Sequence, residues 1–168
     1  MIARLSELLR HNLEAQDGPE IPLRQELELL GRYLDIMQVR FQGRLDVQQR
    51  VADDALDALV PTMVLQPLVE NAIRHGVEKL ETGGRIAIEA LPDGGELVLR
   101  VSDNGPGPAS NPLEPGPART DGGVGLRNTL ARLEQLYGPS GCFTLLPSAD
   151  GEGTTAEVRL PLRRSHVG

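Results

Sequence analysis

The sequence is poor in aromatic residues and carries no excess of positive charge. Aromatic side chains make up 2% of its 168 residues, and tryptophan is absent. The core must therefore be built mainly from Leu, Val, Ile and Ala. Affinity for nucleic-acid phosphates needs a basic surface, and stacking on bases uses aromatic side chains. The formal net charge of −7 and the shortage of aromatics therefore argue against a nucleic acid as partner.

Cysteine and long apolar runs are also scarce. Cys142 is the one cysteine, which excludes an internal disulfide and a cysteine metal cluster. No apolar run approaches the ~20 residues that span a bilayer, and the first residues lack the apolar stretch of a signal peptide. We therefore expect a cytoplasmic chain that would reach a membrane only through N-terminal segments absent from it.

The length fits one domain of ordinary size with a helical element before it. Residues 2–15 read as a short helix, and residues 16–22 as a break. Residues 23–41 then follow a heptad pattern, in which apolar residues recur at alternating steps of four and three. These residues are Leu23, Leu27, Leu30, Leu34, Met37 and Phe41. Such a seam is typical of a helix that packs on its own domain, and together with the helix at 2–15 it could also contribute to a homodimer.

The rest of the chain predicts an α+β fold, a two-layer sandwich with helices on one face of a mainly antiparallel sheet. Period-two alternation and turn residues predict strands and hairpins, and apolar residues at steps of three and four predict helices. The predicted strands lie at 44–53, 85–91, 96–103, 142–148 and 154–162, and the predicted helices at 63–76 and 124–138. Residues 106–122, rich in Pro and Gly, are typical of a functional lid or a disordered segment.

The helix that contains "LVENAIRHG" (68–76) has an unusual polar face. Asn71, Arg74 and His75 are spaced so that their side chains converge on one patch. An amide oxygen can ligate Mg²⁺, and a guanidinium can pair with phosphate oxygens. An accidental polar face on a surface helix is the alternative.

Two glycine-containing motifs follow. In "DNGPG", Asp103 ends a strand, and Gly105 and Gly107 allow the backbone to approach a ligand closely. A carboxylate here could accept a hydrogen bond from an exocyclic amine such as that of adenine, although an ordinary turn also explains the motif. "GGVGL" (122–126) opens a helix, whose N-terminal amides make an anion site. No Walker A lysine follows it, and the order of elements is not that of a Rossmann fold.

In this order the three motifs resemble the N, G1 and G2 boxes of the Bergerat ATP-binding fold, which gyrase, Hsp90, histidine kinases and MutL share. Within that superfamily the chain is most similar to the LytS-type sensor histidine kinases, which have "LQPLVENAIKHG" where this chain has "LQPLVENAIRHG" (65–76). Residues 26–41, 123–138 and 153–162 also match, and the resemblance covers roughly residues 5–162. It implies a dimerisation and phosphoacceptor remnant at 1–43, an ATP-binding catalytic domain at 44–163 and a tail at 164–168.

The resemblance also implies roles for individual residues on the phosphate side of the site. Asn71 would ligate the Mg²⁺ that bridges the nucleotide phosphates, and Arg74 and His75 would lie near those phosphates. Gly123 and Gly125, with Leu126 beside them, would form the hinge of the ATP lid.

On the adenine side, the resemblance assigns Asp103 to the adenine amino group. Gly105 and Gly107 would shape the floor of the pocket, and Thr155 would lie near the adenine-side water network. The implied cofactors are ATP and Mg²⁺.

The implied activity is transfer of the ATP γ-phosphoryl group to a histidine, for relay to a response regulator. Of the three histidines, His75 belongs to the nucleotide motif, His166 to the tail, and His11 lacks the family's acceptor pattern. We therefore expect the acceptor to lie outside this chain and the isolated chain not to phosphorylate itself. Pro67 stands where ATPases of the superfamily have a water-activating glutamate, so slow hydrolysis is expected.

Two other functions remain open from the sequence. The chain could be a regulatory module that binds a nucleotide without transferring phosphate. It could also be an anti-sigma-type serine kinase of the same superfamily, which the heptad of residues 23–41 and the "LQPLVENAIRHG" motif disfavour.

Overall fold

The computed structural model describes residues 20–75, 83–105, 123–147 and 153–164. The helices among them are α1 (Leu23–Arg40), α2 (Leu65–His75) and α3 (Gly123–Tyr137). The strands are β1 (Glu20–Pro22), β2 (Leu45–Val51), β3 (Leu59–Pro61), β4 (Gly84–Asp93), β5 (Glu96–Asp103), β6 (Cys142–Pro147) and β7 (Thr154–Pro161). The predicted helix at 2–15 and the predicted lid at 106–122 lie outside the described residues.

The main sheet has five strands in the order β2-β4-β5-β7-β6. Its neighbouring strands are antiparallel except for β2 and β4, which are parallel. The predicted α+β class is confirmed, and all five predicted strands are found.

The two faces of the sheet differ because successive side chains of a strand point to opposite sides. On one face, alternate residues of β4, β5 and β7 are buried under the helices: Ile86, Ile88, Ala90, Leu97, Leu99, Val101, Ala156, Val158 and Leu160. The other face carries ion pairs, including Arg100 to Glu157 at 2.7 Å and Arg159 to Glu157 at 2.8 Å. The helices therefore pack on a single apolar face.

The hairpin of β4 and β5 turns at Gly94 and Gly95. Both residues have positive φ, at 58° and 86°, a conformation that glycine adopts without steric cost. This explains why the chain turns at this point between the two predicted strands.

The heptad residues of α1 pack on the chain's own domain. Leu23, Leu30, Leu34 and Met37 are buried and belong to the same hydrophobic cluster as the sheet. The predicted packing of this seam on its own domain is confirmed. Helix α1 shares its core with the residues that follow position 43.

Strands β1 and β3 were not predicted from the sequence. They pair antiparallel as a separate two-stranded sheet, and β1 falls within the segment 16–22 that was predicted as a break. Each strand has three residues, which is too short for period-two alternation to show.

A buried carboxylate connects α1 to the beginning of α2. Glu26 is 1% exposed, and its two oxygens accept hydrogen bonds from the backbone N–H groups of Met63 and Leu65, each at 3.0 Å. The first N–H groups of a helix have no partner within the helix, and they favour a negative charge. Glu26 therefore caps α2 from a different helix, while burial raises the pKa of its carboxyl to about 7.

This buried carboxyl gives a predicted pH dependence of stability. Its pKa is about 7 in the folded protein against an ordinary 4.5, so its contribution is fully present below pH 4.5 and is lost as the pH rises through 7. The total change is about 3 kcal/mol. Glu26→Gln should therefore flatten the fall in unfolding free energy across this interval, as measured by urea denaturation. Glu28→Gln, an exposed change in the same helix, should keep the wild-type slope; equal slopes in all three proteins would contradict the assignment.

Candidate functional site

Helix α2 presents a polar face beside the sheet. Ala72 and Ile73 are each 2% exposed, whereas Asn71 is half-buried and Arg74 is exposed. The helix contacts β5 and α3, and His75 is its last residue. The amide and the guanidinium therefore remain accessible on a helix whose apolar side is fixed to the sheet.

Asp103 ends β5 as a largely buried carboxylate. It is 9% exposed, and its Oδ1 accepts a hydrogen bond from the backbone N–H of Gly105 at 2.9 Å. This contact holds the turn after the strand. A carboxylate offers about four acceptor sites on its two oxygens, so this one can hold the turn and also accept from a ligand amine.

Neighbouring backbone groups fix the position of the Asp103 turn. The side-chain oxygen of Asn104 accepts from the N–H of Arg85 at 2.7 Å, and the N–H of Asn104 donates to the Arg85 carbonyl at 3.3 Å. Gly153 approaches from the other side with φ of 87°, and a Cβ there would meet the Asp103 carbonyl oxygen. The turn is thus held by β4 and by the residue that precedes β7.

Helix α3 begins within the third motif. Its first residue is Gly123, and Gly125 and Leu126 lie in its first turn. The N–H groups of a first turn lack partners within the helix and attract anions. Because α3 contacts α2 and α2 contacts β5, the three motifs lie on neighbouring elements. Gly107 lies outside the described residues.

Thr155 lies on β7 and lines a groove together with Asp103. Its hydroxyl is 2.9 Å from that of Ser102, on the sheet face that carries the ion pairs, where both residues line a polar groove. Strand alternation places the preceding residue, Thr154, on the same side as buried Ala156, while Thr155 pairs with Ser102, the residue before Asp103. Because successive side chains of β7 point to opposite faces of the sheet, Thr154 and Thr155 face opposite sides.

Three residues that shape the site were not identified from the sequence. Glu26 and Gly153 make the contacts described above, and Arg132 of α3 donates a hydrogen bond to the Thr62 carbonyl just before α2. The sequence around Gly153, "DGEGTT", is typical of a turn, but it does not indicate the contact of Gly153 with Asp103. Nothing in the heptad pattern marks Glu26 as buried.

Among the described residues, no group of three or more His, Cys, Asp or Glu is placed to hold a metal ion. Mg²⁺ in nucleotide sites commonly uses one or two protein ligands together with phosphate oxygens and water. The accessible amide of Asn71 suits that kind of coordination. Within the same residues, no helix combines the length and apolar character that a bilayer crossing requires.

The fold matches that of a solved histidine kinase structure. The catalytic domain of the histidine kinase ThkA superposes with a TM-score of 0.65, at 20% identity over 87% of this chain and 97% of that one. The fold is therefore that of a histidine kinase catalytic domain. The model of the family "Histidine kinase-, DNA gyrase B-, and HSP90-like ATPase" matches residues 57–164, and a "Histidine kinase" model matches residues 1–45. The chain belongs to this ATPase family.

Curated relatives point to sensor kinases within that family. The sensor protein LytS of Staphylococcus epidermidis is 29% identical over 98% of this chain. The sensor histidine kinase YpdA of Escherichia coli is 34% identical over 82% of it. The resemblance to LytS-type kinases is confirmed. The matched regions make up 28% and 25% of those two proteins, so the chain spans about a quarter of their length.

The contact between Gly153 and Asp103 gives a second prediction. Gly153→Ala places a Cβ against the Asp103 carbonyl in a left-handed backbone conformation, so it should destabilise the fold and displace Asp103. Gly95→Ala has a similar φ of 86° but nothing within 4 Å of the added Cβ, and should cost about 1–2 kcal/mol from backbone strain alone. Thermal unfolding should show a clearly larger loss for Gly153→Ala. Equal losses would mean that the contact imposes no constraint.

Proposed function

We propose that this chain is the ATP-binding catalytic part of a two-component sensor histidine kinase. In this function it transfers the ATP γ-phosphoryl group to a histidine outside the chain, for relay to a response regulator. The observation that carries the proposal is the largely buried carboxylate of Asp103, held at the end of β5, a strand that α2 contacts. Family membership supports the same reading.

Adenine recognition is assigned to Asp103. A carboxylate accepts hydrogen bonds and does not donate them, so it favours the exocyclic amine of adenine over the carbonyl of guanine. Because Asp103 is largely buried, the discrimination between adenine and guanine should be strong: guanine would place its carbonyl acceptor against the buried carboxylate acceptor. Gly105, and Gly107 beyond the described turn, would let the backbone lie close to the base.

The phosphates are assigned to the polar face of α2 and to the first turn of α3. Asn71 would ligate Mg²⁺, and Arg74 and His75 would lie near the phosphate oxygens. Bound Mg²⁺ neutralises phosphate charge. Gly123 and Gly125, with Leu126, would bring the N-terminal amides of α3 to the same anion. An acidic chain needs such local donors to bind a polyanion.

Among the described residues of α2, neither Pro67 nor Glu70 offers a base that could activate water beside Asn71. Pro67 occupies the first turn of α2, where proline needs no hydrogen-bond partner for its nitrogen. Glu70 accepts from the side chain of Gln66 at 3.3 Å, and on a helix it points about 100° away from Asn71. We infer that hydrolysis is slow and that the phosphoryl group is kept for a protein acceptor.

The partners follow from this assignment. Besides the response regulator, the chain would work with a dimerisation and phosphoacceptor region, of which residues 1–43 are the proposed remnant, and dimers would form through that region. Residues 44–163 would be the catalytic domain, and 164–168 a tail. The chain would lie in the cytoplasm as part of a membrane-bound sensor.

Nucleotide choice tests the adenine assignment. Asp103→Asn keeps the side chain's size and an oxygen for the Gly105 contact, but it introduces a donor that can face the adenine amine. Calorimetry should show that ATP affinity falls by at least about tenfold, or 1.4 kcal/mol. Asp46→Asn, an exposed change on β2, should leave affinity unchanged. Equal binding of ATP and GTP by the wild type would refute the assignment.

Metal dependence tests the role of Asn71. Asn71→Ala removes the proposed ligand and should abolish phosphoryl transfer to a supplied dimerisation and phosphoacceptor domain, while circular dichroism stays that of the folded protein. Arg85→Ala, on the other sheet face, serves as a control that should keep transfer. A wild type that binds Mg·ATP but never labels the acceptor would instead favour the non-catalytic regulatory module.

A further inference from the structure

The loop that leads into α2 is held by two other helices at once. Glu26 of α1 accepts from the N–H groups of Met63 and Leu65, and Arg132 of α3 donates to the carbonyl of Thr62. Four consecutive residues, 62–65, thus include contacts with both α1 and α3. These contacts determine where α2 begins and how it is oriented.

The Glu26 contact carries a desolvation cost that an apolar contact at the same position would not have. Burying a carboxylate carries a desolvation penalty, and apolar side chains of similar volume often fill such a position equally well or better. An apolar contact, however, would tolerate small rotations of α2. Two hydrogen bonds that one carboxylate accepts from N–H groups two residues apart define both the rotation and the axial position of the helix.

The position of α2 matters because the helix carries the phosphate-side residues. Asn71 lies six residues after Leu65, about 9 Å along a helix that rises 1.5 Å per residue. A turn of α2 by one residue would rotate Asn71 by about 100°. The loop itself is held in an unusual state, since Met63 has a φ of 64°, which non-glycine residues rarely adopt.

We propose that Glu26 is a positioning residue for the nucleotide site: it holds α2 so that Asn71 faces the metal–nucleotide complex, and it couples the position of α1 to nucleotide affinity. Arg132 of α3 supports the same loop through its hydrogen bond to the Thr62 carbonyl. The inference rests on the proposed function, because it assumes that α2 contacts Mg·ATP.

The coupling between α1 and the nucleotide site would act through the contacts of α1 with the core and with α2. Helix α1 contributes Leu23, Leu30 and Met37 to the core and contacts α2. A displacement of α1 would move the Glu26 carboxylate relative to the N–H groups of 63 and 65. Nucleotide binding and the placement of α1 would then influence each other by the same free energy.

The test compares Mg·ATP affinity in the wild type with that in Glu26→Gln, Arg132→Gln and the exposed control Glu28→Gln. Glutamine keeps the shape of Glu26 but offers one acceptor oxygen in place of two, so one N–H loses its partner. Calorimetry should show about a tenfold weaker affinity for Glu26→Gln, a smaller loss for Arg132→Gln, and none for Glu28→Gln. Amide NMR of the folded proteins should show a shifted Asn71 side chain in Glu26→Gln.

A purely structural cap would give a different pattern. In that case Glu26→Gln would lower the melting temperature and shift only the amides of 63–66, while the folded protein kept wild-type affinity; this result would overturn the inference. If Glu26→Gln does not fold, the Arg132→Gln variant tests the inference instead. An unchanged Mg·ATP affinity in that variant would also overturn the inference. A wild type that fails to bind Mg·ATP would instead reject the proposed function and this inference with it.

Discussion

The structure depends on one requirement: helix α2 must bury an apolar side against the sheet while its other side stays open to a polar ligand. Ala72 and Ile73 meet the first demand, and Asn71 and Arg74 the second. Burial alone would leave such a helix free to make small rotations. The carboxylate of Glu26 and the guanidinium of Arg132 remove that freedom by binding backbone groups at the start of the helix. The rest of the helical layer is arranged so that these two groups reach one loop.

The sheet contributes the other half of the site by holding Asp103 at the end of β5. Its position is set by hydrogen bonds between Asn104 and Arg85 and by the approach of Gly153. None of these contacts is part of the strand itself. The site therefore combines a residue placed by sheet pairing with residues placed by a helix, and each has its own set of backbone contacts. Such separate support is what a rigid binding site needs.

Much of this arrangement could be predicted from local pattern. The heptad of α1, the β4–β5 hairpin and the polar face of α2 all follow from residue spacing over ten to twenty positions. Features set by distant contacts could not be predicted in this way. The parallel pairing of β2 with β4 leaves no signal in either strand, and the bond from Glu26 to Met63 spans 37 residues. The assignment of Thr155 to the nucleotide side rests on the motif alone and stays a prediction.

The position of the last strand has a consequence for biosynthesis. Strand β7 pairs with β5 on one side and β6 on the other, so the final segment of the sheet is inserted into its interior and not added at its edge. A nascent chain that has left the ribosome only as far as β6 can form the β4–β5 hairpin, but it lacks the strand that joins β6 to it. Gly153, which presses on the Asp103 turn, emerges just before that strand. The candidate site around Asp103 therefore cannot be completed before translation reaches β7.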